Sequence, residues 1–216
     1  VKPTNSDYVN SDSVPNDDYA TAGHGVGVAC MIRCDKGDGD MHGIAYDSTV
    51  SFYKIFDFNG NIVSDSNVAS ALNSADSNDI INNSWGTNGA FGCATASECE
   101  SAIGSSTYAA MKTATNTNGK ILVWAAGNEA QANPSPEANA VVHETGLQGL
   151  SVVVVSVDAT DADDDLGDED GRISSFSNRC GTAAAYCIAA PGGNIVFVGR
   201  QNGQTFYAGN GTSYAA

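Results

Sequence analysis

Two uninterrupted apolar runs constrain the fold of this chain more than any other feature. They are Ile121-Leu122-Val123-Trp124-Ala125-Ala126, which ends in Gly127-Asn128, and Ser151-Val152-Val153-Val154-Val155-Ser156-Val157. A strand with one wet face alternates apolar and polar residues, so runs that are apolar on both sides belong inside a parallel sheet covered on both faces. Val50 to Phe56 and Ile80 to Gly86 are rich in β-formers and bounded by turn residues, which predicts two more strands. Between the strands, Ser66 to Ser77 reads as a helix with Val68, Ala69 and Leu72 on one face. Ala102 to Thr115 reads as another, with Ile103, Tyr108 and Met111 facing inward. Gly25 to Cys34 fits a buried helix through Val26, Val28, Ala29 and Ile32, and Val1 to Ala22 is polar loop. Strands alternating with helices predict an α/β domain with a mostly parallel central sheet, and such sheets carry function at the carboxyl ends of their strands.

A chain of 216 residues can bury a substantial core, and a hydrophobic fraction of 42% against 16% charged residues is that of a globular protein. The net charge of −16 argues against nucleic acid as a partner, because little here would neutralise phosphates. No apolar run approaches the ~20 residues of a membrane span. No leader of basic and then apolar residues follows Val1, so the sequence reads as a mature form or an excised piece. Cys93 and Cys99 bracket one short loop and Cys180 and Cys187 another; both pairs read as disulfides and imply an oxidising compartment. Cys30 and Cys34 lie four apart on a predicted helix, where a bridge is open but strained.

Three residues at element ends point to one chemistry. Ser213 follows a glycine-punctuated turn, Gly209-Asn210-Gly211-Thr212, and opens an alanine-rich run that can start a helix. His24 sits between glycines at another helix start, and Asn128 directly follows the most apolar strand. A hydroxyl needs a base to become a nucleophile, and an amide at a strand end can donate to a developing oxyanion. Base, donor and nucleophile at the termini of one sheet match the requirements of acyl transfer.

The motifs around these residues resemble those of the subtilisin-like serine proteases. His24-Gly25-Val26-Gly27-Val28-Ala29 is similar to the family's His-Gly-Thr-x-Val-Ala, and Asn83-Ser84-Trp85-Gly86 to its substrate-binding strand. Ala125-Ala126-Gly127-Asn128-Glu129 is similar to its oxyanion motif, and Gly211-Thr212-Ser213-Tyr214-Ala215 to the segment around its nucleophile. Ile173 to Asn178 and Ala189 to Ile195 resemble the stretch that precedes that serine. Ser177-Asn178-Arg179-Cys180, with Tyr186 to Pro191, further resembles the secreted autotransporter branch of the bacterial subtilases.

The resemblance implies a three-layer αβα fold and a secreted or cell-surface bacterial endopeptidase acting on protein or peptide substrates. Ser213 would be the nucleophile, and His24 the general base and then the acid. The Asn128 amide and the Ser213 backbone N–H would hold the oxyanion. Ser84, Trp85 and Gly86, with Gly127 facing them, would pair with the substrate as an added strand, Trp85 forming part of the wall around its side chain. No cofactor is needed for this chemistry.

Three departures stand out. Val26 takes the place of the usual threonine, and Gly27 a position often held by a second histidine. The family's aspartate ends an apolar strand ahead of the histidine, yet Asp7, Asp12, Asp17 and Asp18 all read as polar loop. The expectation is therefore a peptidase domain over 1–216 that lacks the aspartate strand at one end and most of the Ser213 helix at the other. A non-catalytic binding module that keeps the fold is the alternative. The acidic run Asp158 to Gly171 is dense in oxygen ligands but departs from the EF-hand register at Leu166 and Arg172. Its residues fit a solvated surface loop or a structural calcium site, and no metal ligands are assigned.

Overall fold

The computed structural model describes residues 5–11, 13, 23–34, 36, 42–87, 91–158, 172–201 and 204–216, with backbone alone at 197–201 and 204–207. Asp12, Asp17, Asp18 and the acidic run after Asp158 lie outside these residues. In chain order the elements are β1 (Ser6–Asp7), α1 (His24–Arg33), β2 (Tyr53–Lys54), α2 (Asp65–Ser74) and β3 (Ile80–Asn83). There follow α3 (Ala96–Ile103), α4 (Ser105–Lys112), β4 (Ile121–Ala125), α5 (Pro136–Asn139) and β5 (Ser151–Asp158). The chain closes with β6 (Cys187–Gly193), β7 (Ile195–Gln201), β8 (Gln204–Gly209) and α6 (Thr212–Ala215).

The centre is a four-stranded, all-parallel sheet in the order β3-β4-β5-β6, pairing Asn83 with Trp124, Ala125 with Val154, and Val154 with Ile188. Both faces are covered, as the apolar runs require. Leu122, Trp124, Val153 and Val155 pack with Leu72, Tyr108 and Met111 of α2 and α4 in the main core. Ala125 and Val154 are buried on the opposite side, where α6 lies across β4, β5 and β6 and α1 packs against α6. The result is helices, sheet, helices. A parallel pair β1–β2 and an antiparallel hairpin β7–β8 complete the strands.

Several local expectations change. The strand expected over Val50 to Phe56 pairs with β1 at Tyr53 and Lys54 alone, and Phe56 forms an isolated antiparallel bridge with Ile62. Val26 is 45% exposed, and Gly27, Val28 and Cys30 form the buried stripe of α1 instead. Asp7 is strand rather than loop and is 2% exposed. Its Oδ1 accepts from the N–H groups of Val9 (2.8 Å) and Asn10 (2.9 Å), and its Oδ2 from Asn10 Nδ2 (2.9 Å), with Lys54 Nζ at 3.4 Å. Burial alone would raise its pKa, but these hydrogen bonds and Lys54 outweigh burial and lower it.

The helix expected from Ala102 is two helices. α3 starts earlier, where Thr95 Oγ1 accepts from Glu98 N (3.2 Å) and Glu98 Oε2 accepts from Ala94 N (2.8 Å). Gly104, at φ 103°, separates it from α4, and a Cβ there would run into the Asp65 carboxylate. That carboxylate accepts from Ser106 N (2.9 Å) and Thr107 N (2.8 Å), so the first residue of α2 satisfies the start of α4. Burial raises the Asp65 pKa, but the hydrogen bonds from Thr107 and Ser106 outweigh it and bring it below the ordinary value.

All three cysteine pairs are bridged: Cys30–Cys34, Cys93–Cys99 and Cys180–Cys187. The open question at Cys30–Cys34 is resolved by the helix ending at Arg33, because Cys34 turns to an extended backbone (φ −69°, ψ 138°) and approaches Cys30. Among the described residues no helix is long and apolar enough to cross a membrane, and no group of three acidic, His or Cys side chains could hold a metal ion.

Candidate active site

The carboxyl ends of β3 and β4 and the start of α6 converge. Ser213, the second residue of α6, is 7% exposed, and its Oγ donates to the carbonyl of Ser84 at 3.1 Å. Ser84 Oγ accepts from Asn82 Nδ2 (3.0 Å) and donates back to the Ser213 carbonyl at 2.9 Å. Gly192 makes the approach to this turn feasible. Its carbonyl accepts from Gly211 N (2.9 Å), and a Cβ at 192 would meet Ser156 Oγ at 2.5 Å and Gly211 O at 2.6 Å.

Asn128 is exposed, yet its carbonyl oxygen is anchored. Asn128 Oδ1 accepts from Thr212 N (2.8 Å) and Thr212 Oγ1 (3.0 Å), while Thr212 Oγ1 accepts from Gly127 N at 3.1 Å. With both contacts on Oδ1, the two Nδ2 protons are directed away from Thr212. Thr212, one residue before the serine, therefore sets the orientation of the amide.

The loop carrying Asn128 is gripped from the far side by Asn178, which is completely buried. Asn178 Oδ1 accepts from Glu129 N (3.1 Å) and Gln131 N (2.9 Å), and its Nδ2 donates to Ala126 O (3.0 Å) and Glu129 Oε2 (2.9 Å). Its backbone N–H donates to Gly127 O at 3.0 Å. Gly127 has φ 106°, and a Cβ there would collide with Asn178 Nδ2 and come within 2.8 Å of Glu129 Oε2. Only glycine fits. The serines beside Asn178 belong to the same lock. Ser177 Oγ accepts from Ser156 N (3.0 Å) and donates to Asn178 O (2.8 Å), and Ser174 Oγ donates to Asp158 Oδ1 at 2.6 Å.

His24 opens α1 behind Gly23, whose left-handed backbone (φ 63°, ψ 56°) turns the chain into the helix. The imidazole is exposed and lies beside the ring of Tyr214, the residue after Ser213, with centroids 5.9 Å apart and planes tilted by 53°. Trp85, two residues beyond the end of β3, is half-buried. Its indole packs edge-on against the buried Trp124 at 5.3 Å and donates from Nε1 to Asn83 Oδ1 at 3.3 Å, so it anchors the strand in the core. What Ser84–Gly86 offers a ligand is backbone. The structure thus gathers Ser213, Ser84, Gly86, Gly127 and Asn128 at one end of the sheet, with His24 reaching them through Tyr214.

A model of the subtilase family matches residues 2–216 of this sequence, nearly its whole length. The chain belongs to the subtilase family. An extracellular serine protease of Serratia marcescens is 25% identical over 92% of this subtilase and 21% of its own length. Serotype-specific antigen 1 of Mannheimia haemolytica is 33% identical over 42% of the chain and 8% of its own length. The subtilase chain thus spans about a fifth or less of these two relatives. Among solved structures, the S218A mutant of the PatA protease domain gives a TM-score of 0.68 at 22% identity, covering 94% of this chain and 64% of that one. A cold-adapted subtilisin-like serine proteinase gives 0.63 at 22% identity, covering 97% and 62%. These neighbours share its fold, a three-layer α/β arrangement of the subtilisin type.

Thr212 and Asn178 carry no role in the sequence reading, although both lie in quoted motifs. Their significance is spatial: Thr212 reaches Asn128 across 84 positions, and Asn178 reaches Glu129 across 49. The other two histidines pack locally. His143 Nε2 is 2.7 Å from Cys93 O, and His42 stacks edge-on against Tyr46.

Proposed function

We propose that this subtilase is a secreted serine endopeptidase that cleaves peptide bonds through an acyl-enzyme of the Ser-His-Asp type. The observation that carries the reading is the pinned Asn128 amide, anchored by Thr212 one residue before a hydroxyl at a helix start. An extended substrate pairs with the backbone of Ser84–Gly86, and its scissile carbonyl lies over Ser213. His24 takes the Ser213 proton as Oγ attacks, Asn128 Nδ2 and the Ser213 N–H receive the oxyanion, and His24 returns the proton to the leaving amine. The aspartate that orients His24 is not assigned. Asp7 is a poor fit for that role, since its carboxylate is engaged by Val9, Asn10 and Lys54.

Secretion is supported by three disulfides and by the extracellular Serratia relative, while the autotransporter branch rests on the motif resemblance around Cys180 and Cys187. No cofactor takes part in the proposed chemistry. A calcium ion at the acidic run would act on the fold and not on acyl transfer. Incubating the full-length protein with an unfolded polypeptide tests the reading. Fragments should appear with the wild type and not with Ser213→Ala; an intact polypeptide under both would contradict it and favour a binding module on the same fold.

A further inference from the structure

The segment after the Asn128 loop brings a carboxylate underneath the substrate strand. Glu137, in α5, is 1% exposed, and among the described residues its carboxylate is met by the neutral donors of Thr87 alone. Thr87 N lies 3.1 Å from Oε1 and 3.2 Å from Oε2, and Thr87 Oγ1 donates to Oε1 at 2.5 Å. Neither Glu137 nor Glu129 forms an ion pair with a Lys, Arg or His among the described residues. A buried carboxylate without a cation is expensive to keep and is retained where something pairs with it.

A second group converges on the same place. Ser135 is 3% exposed, and its Oγ is buried with no hydrogen-bond partner. A Cβ on Gly86 would lie 2.9 Å from Ser135 Oγ and 3.5 Å from Glu137 Oε2, so no side chain at 86 screens them from the strand. Ser135 N donates to Ala126 O at 2.9 Å, which fixes this segment against the end of β4 next to Gly127. Across from Gly86, a Cβ on Gly127 would face Glu129 Oε2. Two glycines on neighbouring strand ends thus each look toward a carboxylate, with an unsatisfied hydroxyl beside the deeper one.

We propose that Glu137 and Ser135 form the acidic floor of the subsite for the substrate side chain preceding the scissile bond, and that they select lysine or arginine there. This rests on the proteolytic reading above. An ammonium or guanidinium has donors and no acceptors, and both floor groups can accept. Glu129 adds a carboxylate at the rim.

One portion of the full-length protein would be labelled with a fluorophosphonate to report the active serine, and an unlabelled portion given matched peptides carrying lysine, arginine or norleucine before the cleaved bond. Charged hydrogen bonds of this type predict at least about tenfold higher kcat/KM for lysine or arginine than for norleucine. In Glu137→Gln the ratio should fall to within about twofold of one. Protein that reacts with the probe, and whose unlabelled portion cuts after norleucine as readily as after lysine or never cuts after lysine or arginine, overturns the inference and leaves acyl chemistry standing. Absence of labelling overturns the proteolytic reading and this inference with it. If Glu137→Gln does not fold, the wild-type ratio decides alone.

Discussion

Ser84 and Ser213 hold each other by a reciprocal pair of hydrogen bonds, each hydroxyl donating to the other's backbone carbonyl at 3.1 and 2.9 Å. A carbonyl can only accept, so the Ser213 proton rests on the Ser84 backbone. Attack on a substrate requires the hydroxyl to leave that contact and turn to a base. The pair also ties the start of α6 to the end of β3, fixing Ser213 and the Ser84–Gly86 segment relative to each other. Ser84→Ala deletes one of the two bonds and leaves the Ser84 carbonyl in place. The expected loss is about 1 kcal/mol, or roughly fivefold in kcat/KM, with Ser213 labelling retained. Steady-state kinetics on a peptide substrate would check it.

Asn128→Ala removes the proposed oxyanion donor and should lower kcat by about 10²–10³ with little change in KM, because the amide acts mainly on the tetrahedral oxygen. Thr212→Val keeps the shape and the backbone N–H but removes the hydroxyl bridging Asn128 Oδ1 and Gly127 N. A smaller fall in kcat, about tenfold, is expected from the loosened amide. Equal losses in both variants would contradict the division of labour between them.

Asn178→Ala leaves the N–H groups of Glu129 and Gln131 and the carbonyl of Ala126 without their buried partner. Unfolding by denaturant should show a loss of about 2–4 kcal/mol, the range for breaking a buried hydrogen-bond network. In enough stabilising osmolyte to keep the variant folded, kcat should still be depressed, since Asn128 rides on the loop.

Acid should weaken the fold through Asp65. Its folded pKa lies below the ordinary 3.8 because hydrogen bonds from Thr107 and Ser106 outweigh burial. A depressed folded pKa means that the stabilisation is fully present above the unfolded value and is lost as pH falls through the folded one. The wild type should therefore lose stability below about pH 4. Asp65→Asn should be less stable at neutral pH by about 1 kcal/mol, the usual worth of a helix cap, and show a flatter acid limb. Thermal melts between pH 2 and 7 would resolve the two curves.

The interior strands and the α2 face were legible because continuous apolar runs and 3.6-residue spacing are local signals. Thr95-x-x-Glu98 and Asn202-Gly203 between two β-rich segments are equally local, as a capping box and a hairpin turn. Reading them would have supplied the start of α3 and the β7–β8 pair. The Asp65 cap on α4, the Thr212 anchor on Asn128 and the Asn178 clamp join residues 41 to 84 positions apart, and no spacing rule encodes them. Asp7 misled because its neighbours are polar. Its strand is two residues long and is held by Tyr53 and Lys54 on another segment. The family was readable from its motifs; the edge-on contact between Trp85 and Trp124 was not, since only the fold brings the two rings together.

The most direct test is to treat the full-length protein with a fluorophosphonate probe, digest it and locate the adduct by mass spectrometry. Modification of Ser213, slowed sharply by Asn128→Ala and absent in Ser213→Ala, is the result predicted here. No adduct on folded wild-type protein, or one that persists when Ser213 is alanine, would contradict the assignment of Ser213 as an activated nucleophile.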